Sequence, residues 1–293
     1  MNWDDLRIFL AVARAGQILG AARRLGLNHA TVGRRLDALE TALGTRLFTR
    51  RPAGCEPTAE GTRLLAIAER MEREVLEAGA LMGDTDIALS GTVRIGAPDG
   101  FGTSFLAARL GAFAERHPGI TLQLVPVPRA FSISRREADI AVTVERPEEG
   151  RLVARKLTDY ALGLYAARTY LARVAAPASL ADLSAHPLIG HVDDLLYSPR
   201  LHYGRELADP WPSRFEISSA LGQREAVAAG WGIGILHRFM AAERPELVPV
   251  LPAHEVRRSY WLVTHEDARG VARVRAVADF IAELVERERA IFG

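Results

Sequence analysis

Cysteine is almost absent from this chain: of 293 residues only Cys55 carries a thiol. No disulfide and no cysteine-based zinc site can form within one chain, and a two-cysteine redox sensor is excluded. No run of about 18 apolar residues occurs, so no membrane-spanning helix is expected. The opening Met1-Asn2-Trp3-Asp4-Asp5 is acidic where a secretion signal would be basic and then apolar, which points to the cytoplasm. Enzyme signatures are missing as well: there is no G-x-S-x-G, no H-E-x-x-H and no P-loop. The eight histidines are scattered without ligand spacing. No metal, cofactor or catalytic group is therefore expected. Gly230, Gly232 and Gly234 imitate a dinucleotide loop, but that fingerprint must follow the first strand of a βαβ unit, and this run comes late and after a helix.

What the chain does have is an uneven distribution of charge. Residues 1–57 carry nine Arg against five acids, and residues 58–88 three Arg against seven. The front of the molecule is where a polyanion would be met. Within it, Leu6, Phe9, Leu10 and Ala13 recur at i, i+3, i+4 and i+7, the stripe of an amphipathic helix. The spacing restarts with Ile18, Ala21, Ala22 and Leu25, and Gly26 ends that second helix. Asn28 has the chemistry to cap a third, whose Val32, Leu36, Leu39 and Leu43 turn inward. Two short helices and a tight turn make a helix-turn-helix. On the opposite face of the third helix lie Ala30, Thr31, Arg34 and Ala38, with Arg35 at the flank and His29 at the start. Arg34 could fork onto guanine, Ala30 and Thr31 could touch thymine methyls, and Arg35 could pair with phosphate. A solvated face carrying two arginines is the plainer alternative.

Thr45–Arg51 alternates as a strand, Pro52-Ala53-Gly54 turns it, and Cys55–Thr58 returns. That is a wing, with Arg50 and Arg51 placed at its tip to reach phosphates or a minor groove. Leu47 and Phe48 are expected to pack on the helices, and Cys55 to be a small filler.

From Asp5 to Gly61 the chain resembles the LysR-type regulators. The resemblance rests on Phe9–Ala13, Ala21–Leu25, Thr31–Leu36, Leu39-Glu40, Leu43-Gly44, Leu47–Arg50 and Pro57–Gly61, in order over about sixty residues. The chain departs from the family's usual pattern at Gln17-Ile18, Asn28-His29 and Gly33. The resemblance implies a transcription regulator that binds double-stranded operator DNA through Asn28, His29, Ala30, Thr31, Arg34, Arg35, Arg50 and Arg51.

A charged segment follows, in which Leu64, Ala68, Met71, Val75, Ala78 and Met82 recur at alternating spacings of four and three. This is an a/d seam, which favours a partner helix over packing on its own domain. A homodimer is expected, and two recognition helices related by a two-fold axis would require an inverted-repeat operator. The family resemblance adds pairing of dimers into a homotetramer and contact with RNA polymerase.

After a hinge at residues 84–90, strands at 92–95, 121–125 and 139–144 alternate with helices at 104–116 and 135–136, the rhythm of a parallel sheet. A second unit has strands at 161–166, 187–190, 232–236 and 259–263 and a helix at 222–230, and a last helix, 271–287, returns to the first unit. This half looks like the LysR effector domain, similar to periplasmic binding proteins, through Gly91–Gly96, His117-Pro118-Gly119, Ala138–Val142 and Ala226–Gly234. A transport-type binding protein would explain a cleft but not the helix-turn-helix.

The expected class is thus α+β and multidomain. Residues 1–58 are the winged helix-turn-helix, 59–89 the linker helix and 90–293 a two-lobed α/β effector domain. Its lobe I covers about 90–160 and 265–293, and lobe II about 161–264. Ligands in open α/β folds sit at the carboxyl ends of strands, beside helix N-termini. That rule selects Asp99, Gly100, Phe101, Thr103, Ser104, Phe131, Ser132 and Thr143 on one side and His191 and Gly232 on the other. Thr103 and Ser104 lead as contacts to a small-molecule effector, with helix capping as their plainer role. Asp99 argues against a small dicarboxylate on its side. Trp231 and Trp261 read as core.

Overall fold

In the computed structural model, which describes residues 3–51, 54–81, 89–127, 138–147, 150–208, 210–266, 268 and 271–293, the chain divides into two units, Met1–Ala88 and Leu89–Gly293. The first unit opens with α1 (Trp3–Ala15), α2 (Ile18–Leu25) and α3 (His29–Leu43). α2 and α3 each end on a glycine in the left-handed region, Gly26 and Gly44, whose N–H groups return to the last turn. The hairpin β1 (Phe48–Arg51) and β2 (Gly54–Pro57) pairs antiparallel, and α4 (Ala59–Leu81) follows. Leu6, Phe9, Leu10, Val32, Leu36 and Leu39 form the core with Leu47 and Phe48. The predicted stripe widens on α1, where Ile8 and Val12 are fully buried too.

The second unit is built on one eight-stranded mixed sheet. Its elements run β3 (Gly91–Ala97), a π-helical stretch (Phe101–Leu106), α5 (Gly111–Arg116), β4 (Ile120–Pro126), β5 (Ile140–Thr143), β6 (Leu152–Ala167) and α6 (Arg168–Leu171). They continue with β7 (Leu188–Gly190), α7 (Tyr203–Leu207), β8 (Ser213–Glu216), α8 (Ala220–Ala228), β9 (Ile233–His237), α9 (Arg238–Ala242), β10 (Leu247–His265) and α10 (Ala272–Arg287). The strand order is β4-β3-β5-β10-β6-β9-β7-β8. β4, β3 and β5 run parallel and belong to lobe I; β9, β7 and β8 belong to lobe II. The long antiparallel pair β6 and β10 joins them: β10 meets β5 through Trp261–Thr264, while β6 meets β9 through Leu162–Ala166. β10 thus runs beside the strands of lobe I over Trp261–Thr264, ahead of the expected lobe boundary at about 265. Between Tyr260 and Trp261 the register shifts and Leu157 is left without a partner, a bulge of the kind that re-aims side chains.

Three expectations fail here for physical reasons. The helix expected at 104–116 starts earlier, at Phe101, and is divided into the π-helical stretch and α5, with Phe101 and Phe105 both turned into a core shared with Tyr260 and Phe292. Pro249 and Pro252 hide β10, since proline argues against a strand interior. Trp231, read as core, is 65% exposed at the turn between α8 and β9. Residues 84–88 of the hinge, the helix expected at 135–136, Phe131, Ser132 and Met82 lie outside the described residues, as do the side chains of Arg50, Arg51 and Ala78.

Candidate functional site

α3 is started by Asn28, whose side-chain oxygen accepts the Ala30 N–H at 2.9 Å. That oxygen is spent on capping, and the turn it fixes leaves His29, Ala30, Arg34 and Ala38 exposed, with Thr31 half-buried. Arg34 makes no ion pair among the described residues. Arg35 differs: its guanidinium bonds to Asp4 and lies 3.8 Å from Asp5, so α1 holds it back and the expected phosphate role has a competitor. The backbone of Arg50 and Arg51 forms the wing ladder opposite Cys55 and Gly54.

A residue that the sequence reading missed fixes the wing. Glu40, 4% exposed on α3, accepts the N–H groups of Leu47 at 2.8 Å and Phe48 at 3.2 Å and pairs with Arg46. Nothing in a periodicity count separates it from a solvated acid, because its partners are backbone groups.

On α4 the expected seam splits. Ala68 is fully buried in its own domain and Leu64 packs against the same core, while Ile67, Met71 and Val75 stand exposed. Arg14 on α1 grips Glu72 of α4 with two bonds, 2.6 and 3.1 Å. The a/d period placed Ala68 on a partner-facing seam and passed over Ile67; the small alanine is where α4 approaches its own helices.

In the second unit Asp99, Gly100 and Phe101, just past β3, meet His191, just past β7, across a pocket that encloses about 470 Å³ of space including its mouth. Val144, Tyr197, Tyr203, Ser218, His237 and Tyr260 join them. Asp99 reaches over the cleft: its Oδ2 accepts the Ser219 hydroxyl at 2.6 Å and the Leu221 N–H at 3.4 Å, at the N-terminus of α8. Burial holds His237 down to about 4 and lowers His191, against the pull of Asp99, so both imidazoles are neutral at pH 7. Burial likewise pushes the hydroxyls of Tyr197, Tyr203 and Tyr260 up.

Several expected contacts stay out of this pocket. Thr103 is exposed and Ser104 lies off the lining, because Phe101 and Phe105 take the inward positions of the π-helical stretch. Thr143 donates its hydroxyl to the Glu145 carbonyl at 2.6 Å, and its neighbour Val144 faces the cleft instead. Gly232 is a packing position, since a Cβ there would stand 2.1 Å from the Pro187 carbonyl oxygen.

Comparison with known proteins agrees with both units. Residues 3–62 match the family model "Bacterial regulatory helix-turn-helix protein, lysR family", and residues 87–286 match "LysR substrate binding domain". The chain belongs to the LysR family. It is a transcription regulator of the LysR type, with a DNA-binding helix-turn-helix and an effector-binding domain. The regulator is similar over 96% of its length to the transcriptional regulator DmlR of Escherichia coli, at 31% identity and covering 93% of that protein. It is 29% identical to the Mau operon transcriptional activator of Paracoccus denitrificans, over 97% of this chain and 96% of that one. The fold follows that of CrgA from Neisseria meningitidis, a LysR-type regulator, with a TM-score of 0.59 at 24% identity over 97% and 98% of the two chains. Members of the family bind operator DNA and small-molecule effectors and form oligomers. Among the described residues no helix is long and apolar enough to cross a membrane.

Proposed function

We propose that this regulator reads an inverted-repeat operator as a homodimer, with α3 in the major groove, and that a small molecule in the cleft between its lobes tunes that binding. The observation that carries the reading is the face of α3: Asn28 fixes its start, Arg35 is tied to Asp4, and Arg34 is left exposed beside His29, Ala30 and Thr31. A single free arginine on a capped helix suits bidentate contact with guanine, while Arg50 and Arg51 of the wing serve phosphates. Ile67, Met71 and Val75 give α4 an apolar stripe for a second copy, and dimers pair further into a tetramer in the cytoplasm, where the complex meets RNA polymerase. The cleft serves ligand sensing and not catalysis. An effector acts there by binding two lobe arrangements unequally.

The test is a titration of the full chain against a duplex from upstream of its own gene and a shuffled duplex, at two salt concentrations. Arg34→Ala should cost roughly 1–3 kcal/mol of discrimination between the two, and Arg50→Ala should weaken both alike and flatten the salt dependence by about one counterion. Equal loss on both duplexes for Arg34→Ala would remove it from base reading.

A further inference from the structure

Among the described residues the cleft lining holds no Lys or Arg, and its one acidic side chain is Asp99. Both hydrogen bonds that Asp99 receives fall on Oδ2, from Ser219 and from Leu221 of α8. The N-terminus of α8, where an anionic ligand would find free N–H groups, is thus already occupied by a carboxylate of the protein. Asp193 adds negative potential at His191, and Glu145 adds it at Tyr197. Of the nearby cations, Arg258 is bound to Glu206 and lies over the Tyr203 ring at 5.6 Å. Independently, the Tyr260 hydroxyl is fully buried in the lining and makes no hydrogen bond of ordinary geometry among the described residues, with only the hydroxyl of the stacked Tyr160 beside it. A buried hydroxyl left unpaired is unfavourable unless a ligand or water fills the gap. Phe101 and Tyr203 supply aromatic walls around it.

We propose that the cleft takes a small ring-bearing organic ammonium ion, a class assignment that rests on the cleft being the effector site. The ammonium group pairs with Asp99 in a charge-assisted hydrogen bond and lies against aromatic faces that favour a cation. The Tyr260 hydroxyl accepts a further N–H or bonds a second polar group of the ligand. A carboxylate in the same place would meet Asp99 with no counter-ion among the described lining residues, and that mismatch disfavours anions of similar shape.

Three probes that share a skeleton and differ in charge decide the matter: phenethylamine, phenethyl alcohol and hydrocinnamate, titrated calorimetrically into the full-length protein. Phenethylamine should bind most tightly and hydrocinnamate not at all in the same concentration range. Asp99→Asn should weaken the amine roughly tenfold or more, the loss expected for a charge-assisted bond, and leave the alcohol unchanged. Ser219→Ala removes the same bridge across the cleft while keeping the charge, so it should preserve the preference for the amine and separates lost charge from a disturbed fold. Hydrocinnamate binding as tightly as the amine, no binding of the amine, or an Asp99→Asn variant that binds it unchanged would each overturn the assignment. Operator binding, followed in parallel, separates the two levels. If the alcohol or the acid binds and shifts operator affinity, the ammonium class falls and the effector reading stands. If the amine binds through Asp99 and operator affinity is indifferent, the ammonium site stands and the effector reading falls.

Discussion

The two units of this regulator build their surfaces in opposite ways. The surface proposed to read DNA bases comes from one helix of fifteen residues, α3, whose inward side is Val32, Leu36 and Leu39 and whose outward side is His29, Ala30 and Arg34. The cleft draws Asp99, His191 and Tyr260 from a strand end in each lobe and from a bulge on the strand that joins them. A surface on one helix is set by local periodicity; a cleft is set by sheet order. Damage to the first should therefore act through its few anchoring contacts, and damage to the second through burial and charge.

Glu40→Ala should break the first unit hardest. The substitution leaves two backbone N–H groups, those of Leu47 and Phe48, without their acceptor in a buried place. Loss of that pairing should destabilise by roughly 2–4 kcal/mol, visible as a lowered unfolding midpoint and as wing-dependent loss of affinity for operator and shuffled duplexes alike. A change below about 0.5 kcal/mol would mean that water replaces the carboxylate and that the wing holds without it.

The same contrast explains what could be read from the sequence. In α1 and α3 the i, i+3, i+4 pattern is the cause of burial, so Leu6, Phe9, Leu36 and Leu39 were legible as core. Asn28 was legible because capping is a local act. Ala68 misled because the period of a partner seam and of intradomain packing is the same, and only the structure shows which helix covers an alanine. In the second unit the strand ends were legible at Asp99, Gly100, Phe101 and His191, which do line the pocket. Tyr260 and His237 were not, since an aromatic or imidazole within a strand carries no mark of which cavity lies beside it. Thr103 was misplaced for the opposite reason: a hydroxyl after a strand fits a helix cap, but the π-helical stretch turns it to solvent.

Acid sensitivity should be smaller than the loss at Glu40 near neutrality and should belong to the cleft. Buried between Tyr160, Tyr203 and Phe239, His237 has its imidazole held down to about 4 against an ordinary 6.5. The unfolded chain takes up the proton first as pH falls, so this residue's contribution to stability is complete above 6.5 and is lost progressively between 6.5 and 4. At about 1.4 kcal/mol for each unit, the loss amounts to at most about 3 kcal/mol by pH 4. His237→Phe should flatten the acid limb of stability relative to the parent, measured as the difference between melting curves at pH 7 and pH 4.5. Parallel limbs in the two proteins would mean that His237 is protonated in the fold and that the cleft is wetter than its burial implies.

The smallest effect expected separates the cleft from the residue that sequence alone put at its centre. Thr103 is exposed and makes no hydrogen bond through its side chain among the described residues, so Thr103→Ala should change stability by less than about 0.5 kcal/mol. Because Phe101 and Phe105 point inward on either side of it, the substitution should also leave effector affinity and operator response as they are. A ligand-binding defect in Thr103→Ala, with melting unchanged, would mean that lobe closure rotates this stretch toward the ligand. The walls that close on an effector would then differ from those that Asp99 and Ser219 already hold together.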